Sequence, residues 1–516
     1  MKIKNIFLIC SLVFSAMSCS LDYEPLESYS DVTEGVNDGE QEIVFKDRDA
    51  VLLHVQSFYD QLRNDAQEHW YTDILLVGDV HSDNAYAGTT GAEVVPYETN
   101  AIEGSNSVMD RDWSRHLANV ARANRLICNI DDVDDATLTT AEREEYKAVA
   151  KIFRAMVYFD MVRLWGSVPV ITTIAGDITS ETVIDVYPEY FPPQNTELEV
   201  YTQIEKDLLE ALEYAPNNNL GNKTVLSKSV ARALLAKVYA EKPLRNYDKV
   251  IQYCDELVAD GFDLVADFSD LFGVTLQDPS NPPSQSNPAI SPKAVNTQES
   301  ILEVHYSTGG GNWVTWMFGR QLDNWSFYFT WAKWITPSRD LIKSFQDAGD
   351  TKRFEESVVY YECEWSNYYP ANHYPFMYKC RSSFSSIIRL RFADILLLKA
   401  EALILKDNPD FAGAASILNK IRNRAELGNL PSAATSNKEA ILDAYLKERR
   451  LELAFEGQRW FDLVRLDKVE GVMNAVYAKD SGRKPQAYLF NQDSYRLPIP
   501  QAAIDQNPNL VQNPGY

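Results

Sequence analysis

Arg391-Phe392-Ala393-Asp394-Ile395-Leu396-Leu397-Leu398-Lys399-Ala400-Glu401-Ala402 is an apolar, alanine-bearing helical stretch with a counterpart earlier in the chain. At a shift of 164 residues Leu234 falls on Leu398, Ala236 on Ala400, Tyr247 on Phe411, Val250 on Ala414, Cys254 on Leu418 and Leu257 on Ile421. In each copy the helix is followed by a short polar turn, Leu244-Arg245-Asn246 or Asn408-Pro409-Asp410. A second helix follows, with apolar residues three and four apart. This is the logic of a tetratricopeptide unit, in which alanines let two helices approach and the aromatic opening the second fills the gap between them. The expected fold is mainly α: tetratricopeptide-like helix-turn-helix units forming a scaffold, with a loop-rich ligand-binding region.

Helical periodicity extends to the N-terminal side of the repeat, over 47–64, 108–130, 140–164 and 196–214. Between the copies the character changes. Residues 274–297 are rich in Pro, Ser and Asn and read as an exposed loop, while Ser300-Ile301-Leu302-Glu303-Val304-His305-Tyr306 alternates like a strand. Ser307-Thr308-Gly309-Gly310-Gly311 lacks the Gly-Lys-Ser/Thr ending of a phosphate loop and reads as a turn.

That turn leads into the most unusual segment. From Trp313 to Trp334 nine of 22 residues are aromatic, against 12% in the whole chain. Sugars present flat C–H faces rimmed by hydroxyls, so a carbohydrate site needs ring platforms edged with amide, carboxylate or guanidinium groups. Trp313, Trp316, Trp325, Tyr328 and Trp331 are the candidate platforms, and Arg320 and Asn324 the candidate polar contacts. About half of the rings are expected in the core, since large aromatics are buried on average. A second candidate strip is Asp79-Val80-His81-Ser82-Asp83-Asn84-Ala85-Tyr86-Ala87-Gly88, from which Asp83, Asn84 and Tyr86 are drawn as ligand contacts. An ordinary surface loop has the same composition.

At the start of the chain Lys2 and Lys4 precede an apolar run from Ile6 to Phe14, long enough for an export signal and too short to span a bilayer. Cys19 follows small residues and precedes an acidic stretch, so it is the expected lipid anchor and the only expected membrane attachment. The expected organisation is a signal peptide at 1–18, a lipidated tether at 19–46, helical regions at 47–260 and 387–516, and the loop-rich region at 261–386. A net charge of −25 without a basic stripe argues against nucleic acid. Cys254 reads as core, and spacing leaves open whether Cys363 and Cys380 pair. The six histidines show no metal-ligand helical spacing, and no metal or cofactor is expected.

Glu448-Arg449-Arg450-Leu451-Glu452-Leu453-Ala454-Phe455-Glu456-Gly457-Gln458-Arg459-Trp460-Phe461-Asp462-Leu463-Val464-Arg465 closely resembles the most specific signature of the SusD/RagB family. The 391–402 helix, the 417–427 helix, Leu497-Pro498-Ile499-Pro500, and Gln512-Asn513-Pro514-Gly515-Tyr516 resemble its other C-terminal motifs. Lys151-Ile152-Phe153-Arg154-Ala155 and Trp165-Gly166-Ser167-Val168-Pro169-Val170 do so nearer the N-terminus, with Val149 where a Glu is common. The resemblance implies a lipid-anchored glycan-binding protein on the extracellular face of the outer membrane. It also implies a SusC-like TonB-dependent transporter as partner and oligosaccharide as ligand. Glu448, Glu452 and Glu456 stand four apart, a spacing that paired-carboxylate glycosidases also invite. Equal numbers of neighbouring arginines favour a structural role and a non-enzyme. The competing readings are a surface glycoside hydrolase and a lid for a non-sugar nutrient such as peptides.

Overall fold

Both copies of the repeat fold as antiparallel helix pairs, and their turns are built alike. The computed structural model describes residues 44–63, 68–88, 90–180, 182–217, 221–284, 286–306, 312, 314, 334–363 and 366–516. Numbering the helices of ten residues or more, α1 is Arg48–Arg63, α2 Ser107–Asn129, α3 Thr140–Trp165, α4 Glu197–Tyr214, α5 Lys228–Ala240 and α6 Tyr247–Ala259. Then follow α7 Arg339–Ala348, α8 Phe392–Leu405, α9 Phe411–Arg424, α10 Lys438–Glu452 and α11 Val469–Lys479. The pairs α5/α6 and α8/α9 begin at positions related by the 164-residue shift. The Asn246 N–H donates to the Tyr239 carbonyl at 2.8 Å, and its counterpart Asp410 donates to Leu403 at 2.8 Å. Each of these residues then caps the next helix, Asn246 accepting from Lys249 N–H and Asp410 from Gly413 N–H.

The helices stack in near-sequential order, α2 on α3, α3 on α4, α4 on α5, α5 on α6, α6 on α8, α8 on α9 and α9 on α10. Capping boxes start α3 (Thr139, Glu142) and α4 (Thr196, Glu199). From Ala148 to Trp165 every residue of α3 but Lys151 is buried. A helix buried on all sides belongs at the centre of a stack, and its charged residues are paired there, Arg154 with Asp207 and Arg163 with Asp160. Its C-terminal end is closed by the chain's last motifs. Gly166 takes φ 74°; the Leu497 N–H donates to the Leu164 carbonyl at 2.8 Å. Asn513 Nδ2 donates to the carbonyls of Trp165 and Leu497, at 2.9 and 2.7 Å.

The strands are short and pair antiparallel in twos: β1 Ala85–Ala87 with β5 Ile335–Pro337, β2 Val274–Leu276 with β3 Ala289–Pro292, β4 Ser300–Val304 with β8 Ile387–Arg391, and β6 Val358–Tyr361 with β7 Tyr374–Met377. The expected strand near 300–306 is therefore β4. The expected open loop at 274–297 instead contains the β2/β3 hairpin, because Val274-Thr275-Leu276 and Ala289-Ile290 have enough apolar and branched residues to pair. One apolar core runs from Phe45 to Leu510 and draws on all three regions expected at 47–260, 261–386 and 387–516. Among the described residues no helix is long and apolar enough to cross a membrane. Cys254 is buried, and no disulfide joins Cys363 to Cys380.

The core also holds an unsatisfied imidazole. His116 is fully buried among His69, Trp70 and Trp165, and neither of its ring nitrogens has a hydrogen-bond partner. Burial pushes its pKa down to about 4 from 6.5. Between those two values the unfolded chain binds a proton that the folded chain refuses, so this side chain costs stability as pH falls through the window. His116→Phe is expected to fall within about 1 kcal/mol of the parent at pH 8, where it removes two unpaired polar atoms. At pH 5 it should gain roughly a further 2 kcal/mol over the parent. The comparison is of urea midpoints at the two pH values, and an unchanged difference would contradict it.

Candidate ligand-binding site

The glutamates at 448, 452 and 456 lie in a buried ion lattice. Glu448 pairs with Arg353 at 2.7 Å and Arg422 at 3.1 Å. Glu452 receives Arg353 at 3.0 Å, Arg391 at 2.6 Å and Arg424. Glu456 receives Arg391 at 2.6 Å and Lys379 at 2.5 Å. Burial alone would raise the Glu452 carboxyl, but Arg424, Arg391 and Arg353 hold it well below the usual carboxylate range. A glycosidase acid needs the opposite shift.

The partners differ from the neighbours expected in sequence. Adjacent helical residues point about 100° apart, so Arg449 turns instead to Asp394 and Asp462, each at 2.6 Å. Arg450 turns to Asp340 at 2.8 Å, and Arg459 holds Asp83 through two bonds of 2.8 and 3.0 Å. Glu456 also lies past the end of α10, in a turn where Phe455 and Gly457 take φ 61° and 70°.

These arginines decide the fate of the strip at 79–88. Asp83, Asn84 and Tyr86 are all buried. Arg450 Nε donates to Asn84 Oδ1 at 2.9 Å, and its Nη2 donates to the Asp83 carbonyl at 2.8 Å. Asp79 accepts from Asn84 Nδ2 and from the N–H groups of Phe455 and Gly457. Asp83 and Asn84 thus join the N-terminal region to the C-terminal signature, rather than lining a ligand surface as expected. Burial would raise the Asp83 carboxyl, but Arg450 and Arg459 outweigh it and hold it low. Tyr86 likewise lies inside, and its hydroxyl donates to Asp480 at 2.5 Å.

Trp313, Trp316, Arg320, Asn324, Trp325, Tyr328 and Trp331 lie outside the described residues, as does Cys19. Both flanks of the aromatic segment are described. On its N-terminal side Asn312 is buried and its Nδ2 donates to the Ser385 carbonyl at 2.6 Å. On its C-terminal side the Trp334 carbonyl accepts from Gly88 N–H, and Ile335-Thr336-Pro337 pairs with Ala87-Tyr86-Ala85. Ser338 N–H donates to the Asn84 carbonyl at 2.9 Å, and its Oγ to the Asp83 carbonyl at 2.7 Å.

Around that C-terminal flank stands a shelf of rings. Tyr86 and Tyr368 stack at 4.5 Å and 9°. Tyr369 Oη donates to the Pro337 carbonyl at 2.8 Å, and Thr336 Oγ1 lies 2.8 Å from Tyr374 Oη. Tyr360 of β6 stacks on His373 at 4.1 Å and 3°. Trp334, Tyr360, Tyr361 and Tyr369 are half-buried, while His373, Asn367 and Arg339 are exposed. Buried phenols fix the shelf's base, and the open rings and polar tips face water. Sequence reading missed Tyr360, Tyr361, Tyr369 and His373, although the Val358-Val359-Tyr360-Tyr361 and Asn367-Tyr368-Tyr369-Pro370 runs carry a second aromatic cluster.

The stacked helix pairs define a helical-repeat scaffold protein. Two family models match the chain, one described as the SusD family over residues 372–516 and one as starch-binding associating with outer membrane over residues 31–240. The SusD-like protein P2 of Formosa agariphila is 28% identical over 485 residues, which cover 86% of this chain and 87% of that one. Surface glycan-binding protein A from Bacteroides fluxus superposes with a TM-score of 0.70 at 21% identity, over 91% of this chain and 99% of that one. A laminarin-binding SusD-like protein superposes with a TM-score of 0.65 at 23% identity, over 92% and 100%. At such identities the solved structures establish the fold. The chain belongs to the SusD/RagB family.

Proposed function

We propose that this chain is an outer-membrane lipoprotein that captures an oligosaccharide at the cell surface and hands it to a TonB-dependent, SusC-like barrel. Cys19 is the lipid anchor in this reading, and the helical scaffold is the barrel-facing surface, since stacked helix pairs offer broad contacts. The observation that carries it is the ring shelf at the root of the aromatic segment, where half-open Tyr369, with Tyr360 and Tyr361 on the two faces of β6, adds rings to the tryptophans expected as sugar platforms. The names of the relatives, glycan-binding, laminarin-binding and starch-binding, support the same class of ligand. Mechanism here is binding and release with no bond broken, which the cation-locked glutamates favour.

Affinity electrophoresis in gels cast with polysaccharides tests it. Tyr369→Ala, Trp313→Ala, Trp316→Ala, Trp325→Ala and Trp331→Ala are each expected to weaken retention about 5- to 10-fold, in line with roughly 1 kcal/mol or more for a lost ring contact. Unchanged retention in all five would remove the site. Chromatography of oligosaccharides incubated with the protein should show no products; hydrolysis would make it a glycosidase instead.

A further inference from the structure

Arg339 opens α7 directly after β5, and its guanidinium is held on several sides. Nη1 donates to Tyr86 Oη at 3.2 Å, Nη2 donates to the Tyr368 carbonyl, and the group lies over the Tyr369 ring, 4.5 Å from its centre. The 480–484 turn is fitted around it: a Cβ on Gly482 would stand 2.0 Å from Nη1. The guanidiniums of Arg353, Arg391, Arg449 and Arg459 are paired with carboxylates. The two bonds of Arg339 end on a phenol and a carbonyl, and Asp480 reaches it through the Tyr86 hydroxyl.

Yet Arg339 is exposed. A guanidinium has five N–H donors, of which the two bonds above use two. Lys484 adds a second positive charge at the same stacked pair, its Nζ 5.3 Å from the centre of the Tyr368 ring. In a chain of net charge −25, a guanidinium immobilised beside half-open rings on an exposed residue is notable. Such a group is preorganised to receive a planar or tetrahedral oxyanion through paired N–H bonds.

We propose that the glycan held at this shelf carries an anionic substituent, a uronate carboxylate or a sulfate ester, received by Arg339. This rests on the glycan-binding reading above and narrows its ligand class. Calorimetric titration of the whole protein with neutral β-glucan oligosaccharides, oligouronates and sulfated galactan oligosaccharides of matched length tests it at low and high NaCl. At low salt one acidic class is expected to bind at least about ten-fold tighter than the neutral one, with the advantage shrinking as salt screens the exposed charge. Which acidic class leads distinguishes carboxylate from sulfate.

Arg339→Gln should bring the acidic-to-neutral affinity ratio to about one. Arg339→Lys should keep part of the preference, since the charge remains and the fork is lost. General loosening of the shelf would lower all affinities together and leave the ratio in place, so the ratio separates recognition from support. Equal binding of neutral and acidic glycans, or an unchanged ratio in Arg339→Gln, overturns the proposal while leaving glycan binding intact. No binding to any of the three classes overturns both.

Discussion

Glu452→Ala is expected to lower the unfolding free energy by about 3–5 kcal/mol, the cost of removing one partner from a buried, hydrogen-bonded ion cluster. Glu452 is wholly buried and accepts from Arg353, Arg391 and Arg424, which come from three separate parts of the chain. Its loss leaves three guanidiniums to share Glu299, Glu448, Glu456 and Asp350. Glu452→Gln should cost less, because the amide oxygen still accepts, yet more than a surface change, because its NH₂ faces donors. Thermal unfolding of the parent and both variants provides the measurement. A loss under about 1 kcal/mol for the alanine variant would mean that the lattice is wet and screened, as surface pairs are. The expectation concerns breaking the cluster and does not rank it against an apolar core of equal volume.

Gly78→Ala should cost about 3 kcal/mol, the upper end of overpacking. A Cβ at Gly78 would stand 2.3 Å from both the Cα and the carbonyl carbon of Gly457. Neither is a side chain that can rotate away. The residue lies in the π-helical turn Leu76–Val80, which touches the left-handed turn at Gly457, φ 70°. Forcing the two apart also stretches the bonds from Phe455 and Gly457 N–H to Asp79, at 3.0 and 2.9 Å. Gly457→Ala should lose roughly 1–2 kcal/mol from backbone conformation alone, with added pressure from Ile74 Cγ2 at 2.8 Å. Urea unfolding of both variants distinguishes the mechanisms, and a Gly78→Ala protein as stable as the parent would refute the close approach.

Where periodicity dominates, the chain was readable almost residue by residue. The expected helices at 47–64, 108–130, 140–164 and 196–214 correspond to α1–α4 with no end shifted by more than one residue. The repeat was legible because the same three constraints recur in it: a polar cap, an aromatic after it and small residues across the pair. Pairing between distant segments left no such trace. Asp83 and Arg459 stand 376 residues apart, and nothing in an Asp-Asn-Ala-Tyr run distinguishes a ligand loop from a carboxylate destined for a buried arginine. The stretch at 448–456 misled for a related reason. Its spacing of four suggested one helical face with local arginine partners, whereas the helix stops at Glu452 and the lattice recruits Arg353, Arg391 and Arg424. The tyrosine shelf escaped notice because its rings come from β1, β6 and the approach to β7, which become neighbours only once those strands are placed.

The stacking of α6 against α8 has one more consequence. Some 130 residues separate these consecutive members of the array, and both ends of that excursion return to one spot. The Asp263 N–H donates to the Gln298 carbonyl, and the Phe392 N–H donates to Glu299 next door. An excursion with anchored, adjoining ends is a cassette: its outer loops can be rewritten while the helices it interrupts keep their contacts. A chain of this design can change what it recognises by editing the cassette, with Glu299 and its arginines as the clasp that each edit must leave closed.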